Sequence, residues 1–133
     1  MFHSLVVKDV KKETPESISI EFAVPNELVN DFSFKAGQFL TLKQVIRGEE
    51  IRRSYSLCST PESGQFKVVV KQIPNGKFST FANNEINPGD QIEIGLPRGN
   101  FFVETNPNNA KSYTLIAAGS GITPIFSILK SIL

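Results

Sequence analysis

Three short clusters carry most of the chemistry that this 133-residue sequence offers. The densest is Arg52-Arg53-Ser54-Tyr55-Ser56-Leu57-Cys58-Ser59-Thr60-Pro61. An arginine presents a planar charged fork that suits phosphate. An aromatic ring two residues along the same strand face can cover a planar ligand. Hydroxyls beside them can donate to ring nitrogens or a carbonyl oxygen. The same residues also read as a half-buried edge strand with solvated arginines and a core tyrosine. Alternation sets Arg53 and Tyr55 on one face and Ser56 on the other. Ser56 therefore joins them only near a strand end or through its backbone.

The second cluster is Gly76-Lys77-Phe78-Ser79, placed ahead of a helical pattern. Glycine permits close backbone approach, and free N–H groups at a helix start favour an anion. Taken alone, Ser79 reads as an N-cap, and Lys71 and Lys77 as solvated charges. No Walker pattern exists here, since Phe78 follows Lys77 and the upstream glycine is absent. The third cluster, Gly119-Ser120-Gly121-Ile122-Thr123-Pro124, has the strand–glycines–helix context of a dinucleotide-binding turn, with Pro124 in place of the third glycine.

Other chemistries lack the residues. One cysteine and one histidine exclude a disulfide framework and a multi-cysteine metal site. Cys58 reads as a buried structural thiol and His3 as part of a frayed terminus, and no catalytic Ser-His-Asp or Cys-His set is present. Charge is balanced overall at +1, with 14 basic against 13 acidic side chains, so no basic stripe favours nucleic acid or an anionic membrane. The N-terminus lacks a signal-peptide pattern, which points to the cytoplasm. Residues 112–129 are uncharged over 18 positions, but Gly119, Gly121 and Pro124 interrupt them. That stretch reads as strand, loop and helix, not as a membrane span.

The elements that must position these clusters follow from periodicity. Ile18, Ile20, Phe22 and Val24 alternate with Ser17, Ser19 and Glu21, and Leu40 and Leu42 with Thr41 and Lys43. Phe66, Val68 and Val70 alternate in the same way, as do Ile92, Ile94 and Leu96. Such segments are half-buried strands. Turn chemistry at Arg47-Gly48, Pro74-Asn75-Gly76 and Pro88-Gly89-Asp90 separates them. Short strands spaced this way predict an antiparallel sandwich or a closed barrel, interrupted by one helix near 79–86. The polar run 105–109 predicts a boundary. Beyond it, 113–118 reads as a strand covered on both faces and 123–133 as a helix. Thr123 would be its N-cap, Pro124 its first residue, and Ile125, Ile128, Leu129 and Ile132 its apolar stripe.

In this order, the R-x-Y-S motif at 53–56, the G-x-x-S motif at 76–79 and the G-S-G-I-T-P turn at 119–124 resemble the ferredoxin–NADP reductase superfamily of flavoprotein oxidoreductases. Within it they are similar to the reductase components of phenylacetate degradation and bacterial oxygenases. The resemblance spans essentially the whole chain. It implies an all-β fold over 1–105, a six-stranded antiparallel Greek-key barrel with one short helix that binds FAD in preference to FMN. Residues 106–133 would be the linker and first β-α unit of a Rossmann-like NAD(P)-binding domain, truncated early.

The resemblance also implies roles. Arg53 pairs with the flavin diphosphate, Ser54 beside it also binds the cofactor, Tyr55 packs on the flavin or its ribityl chain, and Ser56 hydrogen-bonds near the reactive nitrogen. Val69, Val70 and Lys71 skirt the ribityl and adenosine side. Gly76, Lys77, Phe78 and Ser79 form the diphosphate turn, while Gly119, Gly121 and Thr123 face the nicotinamide. Ser56 and Thr123 would be the catalytic pair, with no metal. The implied reaction carries hydride from NADH or NADPH to the flavin N5, and electrons onward to an iron–sulfur or oxygenase acceptor. The Cys-Gly-Pro motif and cysteine cluster found in longer relatives have no counterpart here, so the 133-residue chain is expected to be inactive by itself. The alternative is a non-catalytic flavin-binding or interaction module that docks through 113–133. An exposed apolar stripe at 125–133 is further expected to promote self-association.

Overall fold

The computed structural model describes residues 1–104, 106–108 and 110–133. Six strands, β1 (Phe2–Thr14), β2 (Ser17–Ala23), β3 (Phe39–Ile46), β4 (Glu49–Ser56), β5 (Lys67–Lys71) and β6 (Gln91–Gly95), form one sheet. Two helices, α1 (Lys77–Glu85) and α2 (Ile122–Ile132), complete the main elements. The strand order is β4-β3-β6-β1-β2-β5 and every pairing is antiparallel. The sheet curls until its two edge strands meet, through a single bridge between Leu57 and Val68.

Alternation explains the core. Leu40 and Leu42, Val68 and Val70, and Ile92 and Ile94 all point inward and are buried, with Phe78 of α1 filling the space among them. Each such side chain contributes about 1.5–3 kcal/mol by leaving water. The β3–β4 hairpin turns at Arg47 and Gly48, both with positive φ (49° and 79°). That is the twist a two-residue hairpin needs, and glycine supplies it without strain.

Several expectations are corrected. His3 is not frayed: it pairs with Ile94 in β1–β6, and its ring meets Phe32 edge-on at 5.6 Å. The outer face of β2 is covered as well, because Ser19 Oγ donates to Glu13 Oε1 at 2.9 Å and Ser17 Oγ lies 2.7 Å from Thr14 Oγ1. The first helix begins at Lys77, so Ser79 lies inside its first turn and Gly76 occupies the N-cap position.

The strand expected over 113–118 is unpaired, with Ile116 82% exposed. An apolar run becomes a strand only where neighbours accept its backbone bonds, and among the described residues none lies beside it. Helix α2 begins at Ile122 rather than Pro124, and Thr123 donates to Ser120 O at 3.3 Å from inside the first turn. Of its expected apolar stripe only Ile128 is buried, because the helix turns Ser127 toward the sheet. The expected boundary at 105–106 abuts Thr105, which like Asn109 lies outside the described residues. No described helix is long and apolar enough to cross a membrane.

Candidate flavin site

Strands β4 and β5 touch at the Leu57–Val68 bridge and then splay apart. A cavity of about 780 Å³ opens in that cleft, within the range of about 300–1,000 Å³ that suits small molecules and cofactors. Arg53, Ser54, Tyr55 and Ser56 form one wall, and Val69 and Lys71 of β5 the other. Gly76, Lys77, Phe78 and Ser79 close one side, and Gly119 and Ser120 of the turn before α2 approach with Ile122 and Thr123 of its first turn. The three clusters, separate in sequence, thus share one space.

Strand alternation alone separates Ser56 from Arg53 and Tyr55. Ser56 is the last residue of β4, where the cavity wraps around the strand end, and all three line it. The Tyr55 ring is braced by Phe78, with centroids 5.8 Å apart and planes tilted by 37°. Burial pushes the Tyr55 phenol above its ordinary pKa, against a smaller opposing pull from the Arg53 guanidinium. The phenol therefore stays protonated at neutral pH, able to donate and to accept.

Three cationic side chains, Arg53, Lys71 and Lys77, line the cavity against one carboxylate, Glu16. Among the described residues, Arg53 and Lys71 make no ion pair, whereas Lys77 Nζ pairs with Glu49 Oε2 at 2.7 Å and Arg52 with Glu50 at 3.2 Å. Arg53 Nη1 is steadied by the Arg52 carbonyl at 2.7 Å. No side chain caps α1, so its first N–H groups are left for a ligand or water. Ser79 does not cap the helix. Its Oγ accepts from the Ile73 N–H at 3.2 Å and so holds the 73–76 turn against the helix. A Cβ on Gly76 would overlap that Oγ and come within 2.6 Å of Ile73 Cγ1. Only glycine lets the turn and helix start lie this close.

Residues 4–103 match the family described as Oxidoreductase FAD-binding domain. The chain belongs to that family. It lies within the ferredoxin–NADP reductase superfamily, and its cation-lined cavity with an uncapped helix start fits a flavin dinucleotide. One component of the 1,2-phenylacetyl-CoA epoxidase from Escherichia coli K12 is 42% identical over 132 residues, 99% of this chain and 37% of that protein. The ferredoxin reductase component of 3-ketosteroid-9-alpha-monooxygenase from Rhodococcus rhodochrous is 41% identical, over 97% of this chain and 36% of its own length.

Two solved structures resemble the flavin-binding domain, each with a TM-score of 0.79. Phthalate dioxygenase reductase, described as modular for electron transfer from pyridine nucleotides to [2Fe–2S], is 29% identical and covers 98% of this chain and 39% of its own. A ferredoxin NADP+ reductase from Neisseria gonorrhoeae with bound FAD and NADP is 27% identical and covers 97% and 50%. The chain spans about a third of the length of the first curated relatives.

Within this flavin-binding domain, two expected site residues do not line the cavity. Val70 points into the core, fully buried, and its carbonyl accepts from Asn83 Nδ2 at 3.1 Å, away from the cavity. Gly121 also lies off the lining, one residue beyond Ser120. Sequence reasoning misses the β1–β2 turn: Thr14, Pro15, Glu16 and Ser17 line the cavity, together with Ile73. The register brings that turn in, because Ser17 pairs with Lys71 and the Gln72 N–H donates to Glu16 O at 2.7 Å. Pro15 marks a turn in the sequence, but its neighbours across the sheet are written only in long-range pairing.

Proposed function

We propose that this chain is the flavin-binding part of an NAD(P)H-dependent reductase that supplies electrons to an iron–sulfur or oxygenase partner. The observation that carries this reading is the single cavity lined by all three motif clusters. The relatives support the partner classes, since two of them are named as a ferredoxin reductase component and a methane monooxygenase component. A bound flavin would supply the conversion of one two-electron hydride from a nicotinamide into electrons passed on singly.

The chain's own residues would hold and orient it. Arg53, Lys71 and the uncapped start of α1 bind the diphosphate, and Gly76 and Ser79 keep that start in place. Tyr55, braced by Phe78, covers the flexible chain of the cofactor and keeps water from it. Ser56 offers a hydroxyl at the strand end, where the reactive edge of the ring is expected. Gly119 and Thr123 face the nicotinamide side. The finer architecture belongs to the same proposal: the sheet order and the Leu57–Val68 bridge support a Greek-key barrel. Residues 106–133 would begin a nucleotide-binding domain, and the free thiol of Cys58 suits a cytoplasmic setting.

Fluorescence titration with FAD and, separately, FMN tests the reading. Quenching at micromolar or tighter affinity is expected for FAD. Arg53→Ala should weaken it by about 1.5–3 kcal/mol, the worth of a hydrogen bond to a charged group. Wild-type affinity in that variant would remove Arg53 from the site, and no binding of either flavin would sink the proposal.

A further inference from the structure

Helix α2 meets the sheet through a hydroxyl more than through its apolar stripe. Ser127 has no exposed surface, and its Oγ donates to the backbone carbonyl of Ser59 at 2.6 Å. Ser59 is itself buried at 2% exposure, and its Oγ donates to Gln65 O at 2.9 Å and accepts from the Lys67 N–H at 3.2 Å. This knot sits three residues after Ser56 and at the entry to β5, at the narrow end of the cleft between β4 and β5. Ser127 follows Thr123 by four residues, so the two hydroxyls lie on one helical face.

A second contact fixes the same helix independently. Gly37 adopts φ +105°, and a Cβ there would run into the Phe101 carbonyl oxygen and lie 3.1 Å from Ile128 Cδ1. Its missing side chain leaves the space that the Phe101 carbonyl and the Ile128 side chain approach. Ser131, one turn beyond Ser127, provides the contrast: its Oγ is buried and has no hydrogen-bond partner. Of two buried serine hydroxyls on one helix, only that of Ser127 is tied to the sheet.

We propose that Ser127 is a positioning residue whose bond to the Ser59 carbonyl, with the Gly37–Ile128 packing beside it, holds the 119–123 turn over the cavity. The inference rests on the flavin reading for its consequence and on the joint geometry for its existence. A turn anchored this way keeps Gly119 and Thr123 at the cavity wall, where nicotinamide and flavin must be held at contact distance and away from water. Loosening the joint should free the turn without unfolding the sheet, because α2 carries few of the buried core residues.

The test compares Ser127→Ala with Ser131→Ala and Ile128→Val by hydrogen exchange of the chain without cofactor, and by iodide quenching of flavin fluorescence with FAD bound. Ser127→Ala and Ile128→Val should accelerate exchange across 119–133 by up to about tenfold, the loss of one buried hydrogen bond or of the Cδ1 methyl that packs at Gly37. The amides of β1–β6 should be unchanged. The iodide quenching constant should at least double in both, and Ser131→Ala should alter neither readout. Unchanged α2 exchange in Ser127→Ala overturns the proposal, as does equal acceleration throughout the sheet or unchanged iodide access. If FAD fails to bind the wild-type chain, the functional reading falls and the exchange experiment alone decides the joint.

Discussion

Tyr55 and Cys58, three residues apart, are both held in their protonated forms by burial. The thiol is raised above its ordinary value of 9.0 chiefly by desolvation, with Lys67 and Lys130 pulling the other way. The phenol is raised above 10.0 for the same leading reason. For such groups the unfolded chain loses its proton first as pH climbs. The folded state then binds more protons than the unfolded state, and stability falls with rising pH. Stability should therefore be flat with respect to these two groups at neutral pH and begin to fall near pH 9. Urea unfolding at intervals from about pH 7 to 11 measures this. Cys58→Ala should remove the earlier part of the decline while leaving the part above pH 10 that belongs to Tyr55. A decline unaltered in Cys58→Ala would mean that the thiol does not contribute. The sequence reads Cys58 as a buried structural thiol from its apolar neighbour, and the fold leaves it half-buried. The protonated state of Tyr55 is not, because it depends on Phe78 and the helix behind it, 23 residues away in sequence.

The element that decides the site is the turn into α1, and here residue type alone goes only part of the way. Gly76 is recognisable as a close-approach glycine. What it approaches, however, is the hydroxyl of Ser79 and the side chain of Ile73 within the same turn. Ser79 reads as a cap because serine before a helical pattern usually is one. The helix instead starts two residues earlier, and Ser79 accepts from the Ile73 backbone. Gly76→Ala should therefore cost about 1–3 kcal/mol by overpacking and push the first turn of α1 out of place. Denaturant melting checks the stability, and FAD titration of the same variant should show weaker binding than stability loss alone explains. Wild-type binding would separate the turn from the site. Strand β1 is the least legible element. Leu5 and Val7 alternate, but two register shifts, between Val7 and Asp9 and between Lys12 and Thr14, break the period along its length. The strand also changes partner, from β6 to β2, near Val6. The 113–118 run is apolar enough for a strand, yet a strand also requires a neighbour, which a local pattern cannot supply.

At the scale of the molecule, two surfaces invite measurement: the outer side of α2 and the cleft that joins the sheet's edges. Phe126 at 47% exposure and Leu133 at 93% leave apolar surface on and just past a helix held to the sheet by Ser127 and Ile128. Such a face favours association, so sedimentation should give a weight-average mass that rises with protein concentration, and Phe126→Glu should reduce the rise. A concentration-independent monomer would count against it.

The cleft makes a stronger prediction. Strands β4 and β5 are the two ends of the sheet, and among the described residues their backbones pair only at the Leu57–Val68 bridge. Their separation beyond the bridge is what creates the cavity, so a ligand held by Arg53 on one edge and by Lys71 and the start of α1 on the other links the ends of the sheet. A ligand that binds only the folded state adds about 2.7 kcal/mol at a free concentration a hundred times its Kd. For a domain of this size that raises Tm by on the order of 10 °C. Calorimetry with saturating FAD should show that rise. Riboflavin, which has the ring but no diphosphate, should give a much smaller one, because the cations and helix start would meet no anion. Equal shifts from FAD and riboflavin would mean that the ring alone is bound and that the cationic edge takes no part. An unchanged Tm with FAD would mean that the cleft does not hold the cofactor, whatever its shape and lining suggest.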